Sequence, residues 1–155
     1  SHPVSFLQCA DYLERHFPNA DRKELLELFK TRLTAAMDQF GTPDEVYHRP
    51  ATTFVASFIG SPPMNLLQSA PGVKPGAILG VRPEHLHIGP NGWEATVDTV
   101  EMLGAERLVY AHVGDENLIV RIPEDQPSPV PGDVIHLSLQ EDRVHWFDLE
   151  TGKRL

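Results

Sequence analysis

The chain has 155 residues, a length that suits one domain or one small domain with an appendage. Acidic residues outnumber basic ones by 22 to 13, which argues against nucleic acid as a partner. No apolar run approaches the roughly 20 residues that cross a bilayer, so we expect no direct membrane insertion.

Two further features of the sequence indicate the compartment. The first residues lack a basic region leading into an apolar block, so we expect no signal peptide. Cys9 is the single cysteine and cannot form an internal disulfide. Both features predict a cytoplasmic protein.

Residues 1–40 are predicted to form a helical hairpin. Pro18 and Asn19 interrupt the helical pattern, and Asp21 is placed to cap the second helix, with Glu24 three residues later. An apolar stripe follows at helical spacing, and we expect it to pack against its neighbour or against a second copy of the chain. The stripe consists of Leu25, Leu26, Leu28, Phe29, Leu33, Ala36, Met37 and Phe40.

Residues 41–65 are predicted to form two short linker helices. Thr42 is placed as the N-cap of the first, with Pro43 at its first helical position. Pro50 ends that helix, because a proline disfavours helical geometry in the residue before it. A second helix is expected from Thr53 to Ile59, with Gly60 at its C-terminal cap.

In residues 66–155, apolar and polar residues alternate with a period of two, which predicts short strands with one solvent-exposed face. Turn signals such as Asn91-Gly92 and Gly114-Asp115 separate the strands at spacings of about 8–12 residues. This pattern is typical of a small antiparallel barrel or sandwich. The side chains expected inside it are Val97, Val109, Val120, Leu137 and Trp146.

The sequence offers no set of catalytic residues. The phosphate loop G-x-x-x-x-G-K-[ST] is missing, and the one Gly-Lys pair, Gly152-Lys153, has no following helix. There is also no G-x-S-x-G nucleophile turn. We therefore expect a noncatalytic protein without a cofactor.

The candidate ligand or interface residues are Arg82, Glu84 and His85, within Gly80–His85. Arg82 and Glu84 flank Pro83 and read either as a local surface ion pair or as an anion-binding or interface arginine oriented by a carboxylate. His85 and His87 are two residues apart on a predicted strand, so both rings are expected on one face. No third ligand accompanies them, so an exposed strand face is favoured over a metal site.

Residues 39–155 resemble the C-terminal part of the ATP-binding subunit of carbohydrate ABC importers, of the glycerol-3-phosphate, maltose and multiple-sugar group. Short sequence segments carry the resemblance, in the order of that family. They are 39–47 (QFGTPDEVY), 49–51 (RPA), 54–62 (FVASFIGSP), 64–65 (MN), 80–85 (GVRPEH) and 151–155 (TGKRL).

The resemblance implies an α+β protein in which two linker helices lead into an OB-like β-barrel, the TOBE domain. In the family this barrel is a regulatory domain that helps to hold two ATPase subunits together beside membrane permease subunits. A homodimer at the inner face of the cell membrane is therefore implied. The family's nucleotide-binding domain is not among these residues, and residues 1–36 match nothing in the family.

Two functions follow as expectations. The first is a noncatalytic regulatory and dimerisation domain of an importer ATP-binding subunit. The second is a stand-alone module that binds a small ligand, either an oxyanion or a sugar.

Overall fold

The computed structural model describes residues 43–155 and, before them, Asp21, Lys23, Glu24 and Glu27. The Glu24 backbone N–H donates to Asp21 Oδ1 at 2.8 Å, which is the cap expected at this helix start. The remainder of the predicted hairpin, its apolar stripe and Thr42 lie outside the described residues.

Within residues 43–155, two short helices precede the strands. Helix α1 spans Pro43–His48 and helix α2 spans Thr53–Phe58. Thr52 caps α2, because its side-chain oxygen accepts a hydrogen bond from Val55 N at 3.2 Å. No helix in the part of the chain that the structure describes is long and apolar enough to span a bilayer.

Eight antiparallel strands form two sheets in the described part of the chain. Strands β1, β2 and β8 form a three-stranded sheet in that order, and the other five lie in the order β3-β7-β4-β5-β6. A 3-10 turn at Pro83–His85 links β2 to β3, and a second at Glu141–Arg143 links β7 to β8. The strands are β1 Asn65–Leu67, β2 Ala77–Val81, β3 Leu86–Gly89, β4 Trp93–Leu103, β5 Glu106–Val113, β6 Glu116–Pro123, β7 Val134–Leu139 and β8 His145–Asp148.

The predicted antiparallel β fold is confirmed, but its sheets are open and do not close into one barrel. Strands β1 and β6 belong to different sheets, and the Asn65 side chain connects them by two hydrogen bonds. Asn65 Nδ2 donates to the Ile119 carbonyl at 2.8 Å, and Ile119 N donates to Asn65 Oδ1 at 2.8 Å. The buried amide therefore pairs with the edge of β6 as a backbone unit would.

The main core lies between the two sheets, as the alternation of apolar residues predicts. Val97, Val109, Val120 and Leu137 are buried in it, which confirms four of the five expected core positions. Trp146 is only partly buried, and the Lys74 ammonium lies 4.8 Å from its ring centroid. The expected burial of Trp146 was therefore too high. Its strand, β8, lies at the edge of the smaller sheet, where side chains are less fully covered.

A second, smaller core covers the opposite face of the three-stranded sheet. Phe147 is fully buried there with Ala56 of α2, Met64 and Ile78. Every residue of β2 is buried as a consequence, since both faces of this strand are covered. The helix α2 thus packs on the β domain as part of its core.

The last residues of the chain return to the two helices. Lys153 forms an antiparallel bridge with Thr52, and Arg154 forms one with Phe147. Arg154 N donates to the Ala51 carbonyl at 2.9 Å, and Arg154 Nε donates to the Pro50 carbonyl at 3.0 Å. The C-terminal segment therefore holds the connection between α1 and α2 against β8.

Candidate functional site

Arg82 lies at the junction between the helices and the β domain. It follows β2 and directly precedes the 3-10 turn, and only 1% of its surface is exposed. Its guanidinium stacks on the Tyr47 ring at 4.1 Å and donates from Nη2 to the Tyr47 carbonyl at 2.8 Å. Nη1 donates to the Ile59 carbonyl. One buried side chain thus binds α1, the end of α2 and β2 together.

The backbone at Gly60 leaves room for this arginine. Gly60 has a φ of +111°, and a Cβ atom there would lie 3.0 Å from Arg82 Nη1. Residues with side chains rarely adopt this conformation, so glycine suits the position. Burial lowers the pKa of the Arg82 guanidinium, and the neighbouring Tyr47 and Glu84 oppose that shift.

Glu84 does not form the predicted surface ion pair with Arg82, because Arg82 is buried and its donors bind backbone carbonyls. Glu84 Oε2 instead accepts from the Tyr47 hydroxyl at 2.8 Å and lies 3.4 Å from Arg121 Nη1. Burial, followed by this hydrogen bond to Glu84, raises the pKa of Tyr47. The carboxylate therefore links α1 to β6 beside the arginine.

Arg121 extends this polar network to the connector after α2. Its Nη2 donates to the Ser61 carbonyl, and its Nε lies 3.3 Å from Glu106 Oε2. Sequence reasoning missed both Tyr47 and Arg121. Tyr47 stands in a segment that carried the family resemblance, but its partner is 37 residues away and no spacing rule connects them.

His85 lines a cavity of about 180 Å³ between α1, the two 3-10 turns and β8. Its Nδ1 is buried and has no hydrogen-bond partner within the described part of the chain. Burial lowers the pKa of His85, and Glu84 opposes this. The full lining is Tyr47, His48, Arg82, His85, Asp142, Arg143 and His145.

His87 does not share this cavity, which corrects the expectation that His85 and His87 present their rings on one face. His85 belongs to the 3-10 turn, whereas His87 belongs to β3 and its Nε2 lies 3.3 Å from Gln140 Oε1. The described residues include no group of three or more His, Cys, Asp or Glu that could hold a metal ion.

His145 is a further residue of the cavity, and its place there could not be derived from the sequence. Its Nδ1 accepts a hydrogen bond from Arg154 Nη2 at 2.9 Å, which requires the neutral ring. Burial and then the charge of Arg154 lower the pKa of His145 to about 4. Arg154 belongs to the C-terminal motif at 151–155, so that motif contacts a residue of the cavity lining.

The low pKa of His145 makes stability depend on pH. The unfolded chain takes up this proton near the ordinary pKa of 6.5, whereas the folded chain does so only near 4. The contribution is therefore present above pH 6.5 and is lost as the pH falls toward 4. The full shift corresponds to about 3 kcal/mol, and we expect ~1–2 kcal/mol because the ring is partly solvated.

The comparison of wild type with His145→Gln measures this contribution. Urea unfolding between pH 7.5 and 4.5 should show a smaller loss of stability in the variant, because the other titrating groups are common to both proteins. Parallel pH profiles for the two proteins would contradict the assignment of a neutral, buried His145.

A larger groove of about 490 Å³ lies on the other side of Glu84. It is bordered by β3, by β6 and by the turn between β4 and β5, and its lining is mainly apolar. Glu84, Glu106 and Arg121 supply its charged groups. Glu84 thus stands beside the groove while its partner Tyr47 stands beside the cavity.

Comparison with known proteins finds a matching family model and similar proteins for the part of the chain that contains this site. The family model described as the TOBE domain matches residues 79–147, from β2 to β8. The sn-glycerol-3-phosphate import ATP-binding protein UgpC of Salmonella typhi is 42% identical, and the UgpC proteins of Bordetella pertussis and Escherichia coli O1:K1 are 37% and 38% identical.

Each of these alignments covers 76% of this chain and 40% of the relative. The chain thus spans about two fifths of the length of these relatives and matches their C-terminal part. The match includes Arg82, Glu84 and His85, since all three lie within the residues of the family model. Residues 79–147 therefore match the family model of the TOBE domain, and the chain resembles the C-terminal part of importer ATP-binding subunits of the UgpC type.

Proposed function

We propose that this chain is a noncatalytic regulatory and dimerisation domain of an importer ATP-binding subunit. The proposal includes a homodimer and, in the complete importer, contact with a second ATPase subunit and with permease subunits. Glycerol 3-phosphate or a carbohydrate is the proposed class of imported substrate, in line with the names of the relatives.

The observation that carries the proposal is the junction built on Arg82. Its guanidinium binds the backbone of α1 and the residue after α2, and these helices lead into the matched domain. The hydrogen bond of Tyr47 to Glu84 and the contact of Arg121 with Ser61 add two further links. A displacement of the helices would therefore be transmitted to the β domain, as a regulatory domain requires.

We also propose that this chain does not hydrolyse ATP. A phosphate cradle needs several backbone N–H groups at a helix N-terminus and usually a lysine, and the sequence lacks the phosphate loop that supplies them. Asp44 and Glu45 lie in the first turn of α1, where their carboxylates would repel a triphosphate.

Light scattering tests the homodimer with the full chain. We expect a mass of twice 17.3 kDa, unchanged when Mg-ATP is added, and phosphate release equal to that of buffer alone. Symmetric pairing is the commonest form of oligomer and would cover apolar surface that a small chain leaves exposed. A monomer mass over the whole concentration series would contradict the dimer, and saturable phosphate release would contradict the noncatalytic assignment.

Two variants locate the interface. Phe29→Asp places a charge in the predicted apolar stripe, and Met102→Ser removes an apolar side chain that is 68% exposed at the end of β4. We expect Phe29→Asp to shift the dimer toward monomer and Met102→Ser to leave the mass unchanged, because the predicted stripe has eight apolar residues whereas Met102 is a single side chain.

A further inference from the structure

The two outermost strands of the five-stranded sheet border the same groove. In the order β3-β7-β4-β5-β6, strands β3 and β6 each have one neighbour in the sheets that the structure describes. Both strands contribute to the lining of the larger groove, whose volume is about 490 Å³. The groove thus lies where this sheet stays open, and a free strand edge can pair with a further strand.

The hydrogen bonds of β3 show which of its peptide groups point to the free edge. Gln140 N donates to the His85 carbonyl at 3.0 Å, so this carbonyl points to the side of β7. Because peptide groups point alternately to the two sides of a strand, those of His87 also face β7. Those of Leu86 and Ile88 therefore point away from β7, and both residues line the groove.

The edge of β6 already has a substitute for a neighbouring strand, whereas the edge of β3 has none in residues 43–155. At β6 the Asn65 side chain bonds to both the N–H and the carbonyl of Ile119. No residue in the same part of the chain bonds in this way to the outward peptide groups of Leu86 and Ile88. An incoming strand is therefore expected beside β3.

Apolar side chains lie next to this edge. Leu103 lines the groove and is exposed, and its neighbour Met102 is 68% exposed. The volume of the groove falls within the roughly 300–1,000 Å³ of most ligand sites. In a strand beside β3, alternate side chains would point to this apolar surface and to solvent.

The charge of the groove favours a basic partner. Glu84 and Glu106 both contact the guanidinium of Arg121, at 3.4 Å and 3.3 Å, so two carboxylates share one positive charge. The Glu106 side chain is 42% exposed and can contact a further cation. The formal charge of -9 on the whole chain also attracts basic rather than acidic segments.

We propose that this groove binds an extended basic peptide segment of a partner protein, which adds to the sheet as a strand beside β3. Backbone hydrogen bonds to Leu86 and Ile88 would supply affinity. Apolar side chains against Leu103 and a lysine or arginine beside Glu106 would supply specificity. The proposal concerns a surface outside the Arg82 junction and does not depend on subunit pairing.

Isothermal titration of the full chain with three synthetic peptides is the first test. Ac-Val-Lys-Val-Lys-Val-NH2 has the required alternation and charge, and Ac-Val-Glu-Val-Glu-Val-NH2 reverses the charge. The third peptide is the basic one with its backbone amides N-methylated, so that it cannot donate hydrogen bonds to β3. We expect a dissociation constant below about 1 mM for the basic peptide and binding at least about tenfold weaker for the other two.

Two variants locate the peptide on the chain. Ile88→Pro removes an N–H that points to the free edge, where proline is tolerated, and should weaken binding of the basic peptide at least about tenfold. Glu106→Gln should weaken it about fivefold through the lost charge. Glu94→Gln is the matched control, since Glu94 is exposed on β4 outside the groove lining.

Hydrogen exchange in the wild-type chain gives a readout that needs no substitution. The amide of Ile88 should exchange at least about tenfold more slowly when the basic peptide is bound, because it gains an acceptor. The amide of His87 should change less, since it already faces β7.

Four results would overturn the proposal. They are no saturable binding of the basic peptide up to about 5 mM, equal binding of all three peptides, equal losses in Glu106→Gln and Glu94→Gln, and unchanged exchange of the Ile88 amide. A monomer mass for Ile88→Pro where the wild type is a dimer would overturn it too, by assigning the edge of β3 to a second copy of the chain. Failure of the peptides alone would leave the proposed subunit function standing, because mass and ATP hydrolysis test that function.

Discussion

Arg82→Met should destabilise the chain by about 3–4 kcal/mol. Methionine fills much of the same space but donates no hydrogen bond, so the carbonyls of Ile59 and Tyr47 lose their charged donor. The contact of the guanidinium with the Tyr47 ring is lost as well. Urea unfolding measures the total effect.

Hydrogen exchange in the same variant shows where the loss occurs. The amides of α1 and α2 should lose protection while those of β4 and β5 retain it, because Arg82 binds the helices to a β domain that has its own core. Arg143→Gln is the matched arginine control and should change stability by less than about 0.5 kcal/mol, since that side chain is exposed. An effect of Arg82→Met below about 1 kcal/mol would show that the junction is not held by this side chain.

Gly92→Ala should destabilise the chain by about 3 kcal/mol. Gly92 lies in the turn between β3 and β4 with a φ of +121°, a backbone conformation that side chains disfavour. An added Cβ would lie 2.1 Å from the Leu137 carbonyl oxygen, so β7 and the turn must separate. This displacement acts where β4 pairs with β7.

Gly72→Ala is the control for Gly92→Ala. Gly72 also has a positive φ, +87°, but an added Cβ there meets nothing within 4 Å. We expect this variant to lose only about 1 kcal/mol, from backbone strain alone. The difference between the two variants in the free energy of unfolding measures the effect of the contact with Leu137. Equal losses of stability would show that the turn moves away from Leu137 without further destabilisation.

The buried residues of the β domain could be predicted for strands that have one face exposed to solvent. The alternation around Val97, Val109 and Val120 placed these residues inside, and the structure confirms them. The same reasoning failed at β8, where Phe147 and Trp146 are adjacent and Phe147 is the deeper of the two. A period of two does not reveal that α2 covers the second face of that sheet.

The role of Arg82 could not be predicted from the sequence, for a different reason. An arginine two residues from a glutamate reads as a surface pair, because most such pairs are exposed. Its actual acceptors are backbone carbonyls 23 and 35 residues away, and every residue type carries a carbonyl. The environment of His145 could not be predicted either, since its lowered pKa follows from burial and from Arg154.

The return of the C-terminal segment to the helices has a consequence for synthesis on the ribosome. Arg154 contacts the Pro50 carbonyl across 104 residues of sequence, and Thr53 N donates to the Gly152 carbonyl at 2.8 Å. The two helices are synthesised before these partners, so their final docking must wait until residues 152–154 have left the ribosome. Until then, the apolar side of α2 has no complete covering, and a premature stop before residue 151 would leave it in that state.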